Sequence, residues 1–225
     1  MRRARMETAR NGIANVRRAA RAGFTLIEIM AVILIIGILM WILLPRLLGT
    51  SEMAKVQLTR SFMNEVSAAI SEYEGKFGDF PPSAWPESFG AAPNATNVGA
   101  EVLVQSLWSR DWGGAALAED RFCNLDADDA KKPLSRLPAT ALFELKDAWD
   151  NPIAYIHRRD YEKQLAYVTR DNETGELVDT MLGASKNATT KAFQNMNKFQ
   201  LLSAGPDGRF GTDDDIGNFA AEFKE

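Results

Sequence analysis

Glu28 is the only ionisable side chain in the 21 residues from Phe24 to Leu44, a run that reads FTLIEIMAVILIIGILMWILL. A carboxylate at bilayer depth costs roughly 2.5–3.5 kcal/mol on insertion scales, so it marks a functional position once a partner can be named. A second acidic group lies near the other end, in LLSAGPDGRFGTDDDIGNF, where Asp207, Asp213, Asp214 and Asp215 are interleaved with Gly205, Gly208 and Gly211. Hard anionic oxygens on a glycine-turned loop suit calcium, which takes six to eight of them. The spacing is not that of an EF-hand, and composition alone fits a tight acidic hairpin equally well. The acidic run Asp126–Asp129 shows no ligand pattern and reads as a solvated turn. His157 and Cys123 are the sole residues of their kinds. His157, with no catalytic partner in a motif, reads as a sheet-surface residue. Cys123 reads as a small buried hydrophobe, and a lone cysteine excludes an intrachain disulfide. No set of nucleophile, base and acid emerges, so the chain reads as a non-enzyme.

The elements that carry these residues are legible from charge and periodicity. Residues 1–23 hold seven arginines and one acid, Glu7, for a net charge of +6; the remaining 19 basic and 29 acidic residues give −10. A basic head before an apolar run is the pattern of an oriented insertion with the arginines on the cytoplasmic side. Nucleic-acid binding by the arginine-rich arm is the weaker reading, because the arm directly precedes the greasy segment. A 21-residue, predominantly apolar run suits one transmembrane helix. A secretory signal peptide would have a shorter core and a small-residue cleavage site after it, whereas PRLLGTSEMAK follows here. Pro45 predicts a kink or local unwinding. Beyond it Phe62, Val66, Ala69, Ile70 and Tyr73 recur at helical spacing, and Gly75–Gly78 with Pro81-Pro82 end the helix. The segment AEVLVQSLWSR predicts a second helix through Val102, Leu103, Leu107 and Trp108. IAYIH, KQLAYVTRD and NKFQLLSAG predict strands, the second followed by a turn at NETGE. The expected fold is α+β, with a long N-terminal helix packed on an antiparallel sheet of three or four strands.

The order of basic leader, Gly-Phe-Thr-Leu-Ile-Glu and apolar helix resembles the class III signal of type IV pilins and type II secretion pseudopilins. EYEGKFGDFPPS and DAWDNPIAYIHRRD resemble further stretches of that family, with Ala148 and Asp150 where it has proline and glycine. The resemblance implies a ladle-shaped subunit cut by a prepilin peptidase between Gly23 and Phe24, with N-methylation of Phe24. Glu28 becomes the fifth mature residue and Pro45 matches the family's helix-interrupting proline. Glu28 would then neutralise the new Phe24 amine, on its own chain or on the next subunit, where the pair fixes axial register. The acidic C-terminal stretch resembles the calcium loop of the major pseudopilins. Carried over, Asp207, Asp213 and Asp215 give side-chain ligands and Ala204 and Asp214 main-chain ones.

The resulting organisation has a cleaved leader at 1–23, a transmembrane and assembly helix at 24–44, and its amphipathic continuation at 45–77. A periplasmic head fills 78–225, with an enlarged variable region at 83–147 and the calcium loop at 202–219. The implied function is a structural subunit of the type II secretion pseudopilus in the bacterial inner membrane, forming a short periplasmic filament that drives export of folded proteins. The implied partners are further copies of itself, the peptidase, the inner-membrane secretion platform, minor pseudopilins and membrane lipid, with no nucleic acid. A minor pseudopilin or a type IV pilin subunit for adhesion, motility or DNA uptake is the alternative. A signal-anchored periplasmic enzyme or binding domain would need a polar constellation in the head, and none is visible in the sequence.

Overall fold

The computed structural model describes residues 24–112 and 117–219; the leader, Gly23 and the side chains of residues 42–50 and 119 lie outside that description. The chain divides into two compact units between Leu47 and Leu48. One helix, α1, runs from Leu26 to Phe77 over 52 residues. It stays helical through Pro45, so the expected unwinding does not occur there. A proline deletes one backbone bond, and a helix of this length continues past the gap.

In the first unit every described side chain from Phe24 to Trp41 is exposed, with Phe24 at 84% and Trp41 at 80%. Among the described residues, no helix is long and apolar enough to cross a membrane.

In the second unit α1 is amphipathic, as its spacing predicts. Thr59, Phe62, Met63, Val66, Ala69 and Ile70 are buried, while the intervening Asn64, Glu65 and Ser61 are exposed. Gly78 closes the helix at φ +81, a left-handed backbone that glycine adopts without a Cβ clash, and its N–H reaches the Glu74 carbonyl at 2.7 Å. The second helix, α2 (Val98–Leu107), falls where the sequence predicts it and places Leu103, Val104 and Leu107 in the same core as the buried face of α1. Side chains of this size contribute roughly 1.5–3 kcal/mol each when fully buried.

The strands are β1 (Phe122–Cys123), β2 (Glu144–Leu145), β3 (Ala154–His157), β4 (Gln164–Arg170), β5 (Leu177–Gly183), β6 (Phe199–Ser203) and β7 (Ile216–Gly217). They do not form the single sheet expected. The central antiparallel sheet is ordered β3-β6-β7, with Ala154 opposite Leu202 and Ser203 opposite Ile216. The predicted KQLAYVTRD strand pairs instead with β5 in a separate hairpin, and β1 pairs with β2. The central sheet is buried on both faces. Tyr155, Phe199 and Leu201 join the α1 core, whereas Ala154, Ile156 and Leu202 join a second core with Tyr161, Tyr167 and Leu182. That alternation is the period of two along a strand.

Side chains occupy the backbone positions that would have let β4 enter the sheet. Asn97 Oδ1 accepts from Val168 N at 3.0 Å, and Asn97 N donates to Ala166 O at 2.9 Å. Asn151 exchanges two bonds with the backbone of Arg170, at 2.6 and 2.9 Å. The Tyr167 hydroxyl accepts from Tyr155 N at 3.1 Å and donates to Tyr155 O at 3.0 Å, so a phenol rather than a strand edge ties the hairpin to β3. Gly99 makes room for this join, since a Cβ there would collide with Tyr155 O and with the Tyr167 hydroxyl, at 2.7 Å from the latter.

Two single residues also depart from expectation. His157 is 2% exposed rather than on the sheet surface. Its Nδ1 accepts from Arg159 N at 3.0 Å, and burial lowers its pKa despite Asp79 nearby. The acidic run is not a solvated turn throughout, because Asp126 and Asp128 are half-buried and each accepts from Asn94 Nδ2 at 2.9 Å.

Tyr167→Phe removes the hydroxyl and strands a buried N–H and carbonyl of Tyr155. Each unsatisfied buried group costs about 1–3 kcal/mol, so the variant should unfold at clearly lower denaturant. Chemical denaturation of the full chain in detergent measures this, and an unchanged midpoint would show that the join is not structural.

Candidate functional site

At the start of α1 the Glu28 carboxylate is folded back onto the helix N-terminus. Its Oε2 accepts from Thr25 N at 2.7 Å and from Thr25 Oγ1 at 2.8 Å, while Glu28 N lies 3.3 Å from Thr25 Oγ1. This reciprocal arrangement is a capping box, in which a Thr and a Glu three residues apart satisfy backbone donors that the first helical turn leaves open. The sequence reading singles out Glu28 and misses Thr25, although Thr-x-x-Glu before an apolar run is the signature of such a box. Phe24 precedes it, exposed. Gly23 and the side chain of Pro45 lie outside the described residues. The geometry therefore holds a carboxylate at the point where a new amino terminus at Phe24 would appear.

The acidic C-terminal residues lie on the loop between β6 and β7. Ala204 is fully buried at its start, and Gly205, Gly208 and Gly211 all take positive φ, at +65, +76 and +87. Gly208 packs so closely on the Arg170 carbonyl that no Cβ fits. The loop folds on its own carboxylates. Asp207 Oδ1 accepts from Arg209 N at 2.7 Å, Asp214 Oδ2 from Asp207 N at 3.0 Å, and Asp214 Oδ1 from Thr212 Oγ1. Asp215 Oδ2 accepts from Gly211 N at 2.8 Å, and its Oδ1 is buried with no hydrogen-bond partner. Burial, with Asp214 and Asp207 beside it, pushes the Asp215 carboxyl up to about 6. An orphaned carboxylate oxygen in an acidic loop is a feature that a hard cation would satisfy, so Asp215 fits a calcium ligand. Asp207, Asp213 and Asp215 are not otherwise gathered into one group. Among the described residues, the one set of three or more acidic, histidine or cysteine side chains with ligand atoms within 4.8 Å of one another is Glu101, Asp126 and Glu144.

The loop is tied to the rest of the head at its start and at its middle. Ser203 Oγ donates to Asp147 Oδ2 at 2.5 Å, and Asp147 Oδ1 accepts from Trp149 N and Asn151 N. The DAWDNP segment is thereby a turn wound round a buried carboxylate, with Asp150 at φ +65 where the resembled family carries glycine. Arg209 pairs with Asp171 of the β4–β5 turn, its Nε at 2.5 Å from Oδ2. Asn172 adds bonds to the carbonyls of Asp207 and Pro206.

Comparison with known proteins adds an independent line. Residues 18–44 match the family of the prokaryotic N-terminal methylation motif. The type II secretion system core protein G of Pseudomonas aeruginosa is 36% identical over 141 residues, 63% of this chain and 77% of that one. The core protein G of Escherichia coli is 28% identical over 203 residues, 90% of this chain and 94% of its own. That of Aeromonas hydrophila is 25% identical over 204 residues, 91% and 96% of the two chains. No solved structure gives a significant match.

The Asp171 anchor has an acid signature. Backbone N–H groups of Thr174 and Glu173 together with Arg209 hold its carboxyl down to about 2, against 3.8 for the free group. A depressed carboxyl stabilises the fold above its unfolded value, and that contribution disappears as pH falls from 3.8 towards 2. Asp171→Asn should flatten the loss of thermal stability across this interval, read by melting the two proteins at stepped pH. Parallel curves would place the acid sensitivity elsewhere.

Proposed function

The chain belongs to the family of type II secretion system core protein G, and on that premise we propose how its own residues carry out the subunit's work. It is a major pseudopilin, a structural subunit of a type II secretion system. The relatives from Escherichia coli and Aeromonas hydrophila, which align along nine-tenths of the chain, are both named type II secretion system core protein G, which favours this reading over a minor pseudopilin or a type IV pilin subunit. In the proposed cycle the arginine-rich leader stays in the cytoplasm, residues 24–44 span the inner membrane and the head lies in the periplasm. Prepilin peptidase cuts between Gly23 and Phe24 and the Phe24 amine is methylated. The subunit then polymerises through α1 into a short filament that drives folded proteins outward, in contact with the secretion platform and minor pseudopilins.

The observation that carries this is the exposed apolar start of α1, with Glu28 as its one charge. Before processing, Thr25 supplies the donors for the Glu28 carboxylate. After processing, a cationic amine lies one residue upstream of Thr25. In apolar surroundings an ammonium and a carboxylate without partners are both costly, so pairing is strongly favoured. In the filament that amine belongs to the neighbouring subunit, and a subunit docked out of register would leave both charges unpaired. Calcium is the proposed structural ion of the C-terminal loop, held by Asp207, Asp213 and Asp215 and by the carbonyls of Ala204 and Asp214.

Mass spectrometry of the purified protein should find a methylated Phe24 as the first residue. An intact Met1, or a terminus after Leu44, would remove this reading. Glu28→Ala should be cleaved normally yet form no filaments, and normal filaments would refute the register role. Calcium at about one hundred times its dissociation constant should stabilise the head by about 2.7 kcal/mol for one site. Asp215→Asn should lose that increment, seen as a smaller calcium-induced rise in melting temperature; an undiminished rise would discard the loop assignment.

A further inference from the structure

The variable region contains an inward-facing carboxylate cluster that neither the assembly helix nor the C-terminal loop uses. Glu101 comes from α2, Asp126 and Asp128 from the loop after β1, and Glu144 from β2. Glu101 is 1% exposed and Glu144 is fully buried. One oxygen each of Glu101, Asp126 and Glu144 lies within 4.8 Å of the others.

Asparagine amides already hold the second oxygens of Asp126, Asp128 and Glu144. Asn94 Nδ2 donates to Asp126 Oδ2 and to Asp128 Oδ2, both at 2.9 Å, and Asn97 Nδ2 donates to Glu144 Oε1 at 2.9 Å. The loop itself is closed by Asn124, whose amide nitrogen bonds the Asp128 carbonyl at 2.8 Å and whose Oδ1 accepts from Asp128 N at 3.1 Å. What remains is Glu101 Oε1, Asp126 Oδ1, Asp128 Oδ1 and Glu144 Oε2, all buried and all without a hydrogen-bond partner. No ion pair among the described residues involves any of the four side chains. Buried carboxylates are otherwise paired, protonated or bound to metal. The amides fix Asp126, Asp128 and Glu144 by one oxygen each and leave the other free, as supporting groups do around metal ligands.

We propose that Glu101, Asp126, Asp128 and Glu144 form a second divalent-cation site, separate from the C-terminal loop and selective for calcium. All four donors are hard oxygens. The only histidine lies elsewhere, and burial raises the Cys123 thiol beyond its ordinary range, so a thiolate ligand for a softer metal is disfavoured. Calcium holds its oxygens at 2.3–2.6 Å, so ligands on opposite sides of the ion stand roughly 4.6–5.2 Å apart. The oxygens of Glu101, Asp126 and Glu144, all within 4.8 Å of one another, are close enough to share one such ion; magnesium at 2.0–2.1 Å demands a near-ideal octahedral shell that keeps several waters, which dry carboxylates do not supply. Half-buried Asp126 and Asp128 give the ion a way in from solvent. Without a cation, burial and mutual repulsion push Glu101 up to about 10 and Glu144 up to about 8, so shared protons are the competing means of neutralisation. Bound calcium would staple α2 to β2 and to the loop after β1, within a head that has no disulfide.

The test uses the full chain in detergent with Asp213→Asn and Asp215→Asn, which disables the proposed loop site. Equilibrium dialysis against radioactive calcium should still find one ion per chain. Adding Glu101→Gln and Glu144→Gln should weaken that binding at least a hundredfold. The same two substitutions should raise the melting temperature in calcium-free buffer, because a neutral amide of the same size avoids the cost of burying and neutralising a carboxyl. That melt also reports that the variant is folded. Magnesium should compete at least tenfold more weakly than calcium. The proposal is overturned if the loop-disabled chain binds no calcium. It is overturned equally if the glutamine variant binds it unchanged, or melts lower while calcium leaves its parent unaffected, the behaviour of proton-sharing carboxyls. None of these outcomes bears on cleavage at Phe24, so failure here is distinct from failure of the secretion reading.

Discussion

The phenol of Tyr167 and the amides of Asn97 and Asn151 make the joins on which the head depends. Its described strands are short and fall into three separate sheets. Backbone ladders alone therefore cannot hold the hairpin, the central sheet and the variable region as one body. Buried side chains complete the hydrogen bonding that a wider sheet would have supplied, and a buried backbone group left unpaired is costly. Each join also carries position. Asn97 touches β4 with one amide atom and Glu144 of β2 with the other, so the variable region is registered on the hairpin and on the carboxylate cluster together.

The same economy of contacts governs the acidic C-terminal loop. Its negative charges are not simply exposed. Arg209 reaches across to Asp171, Asp147 receives the Ser203 hydroxyl, and turn N–H groups bind one oxygen each of Asp207, Asp214 and Asp215. The Oδ1 of Asp215 is buried and left over in that hydrogen-bond pattern. Loops of this kind are stable when each carboxylate has a donor or a cation, and self-repelling when it has not. The proposed ion thus complements a scaffold that protein donors have already shaped.

At the other end of the chain, chemistry and mechanics meet in one turn of helix. The Thr25–Glu28 box satisfies the first donors of α1 and keeps the carboxylate at the helix start. That location suits an acidic group for a second reason, since helix N-termini favour negative charge. A charge placed there is ready for an incoming ammonium, whichever subunit supplies it.

What the sequence determined by itself was whatever rests on local order. The apolar run, the charge step across it, the Gly-Phe-Thr-Leu-Ile-Glu motif, the ends of α1 near Gly78 and the second helix all follow from neighbours along the chain, and the structure describes α1 and α2 where periodicity puts them. Thr25 was equally legible as the partner of Glu28 and was missed. Tertiary structure alone decided the rest. Asp126 and Asp128 look solvated in a run of acids, and become half-buried only because Asn94, more than thirty residues away, turns them inward. His157 alternates like a surface strand residue, yet packing covers both faces of its sheet. Glu101 and Glu144 carry no spacing signal at all, since they meet through folding across more than forty residues. Periodicity reports which face of an element is apolar, but which elements meet is set by long-range packing and by which buried polar atoms can find partners.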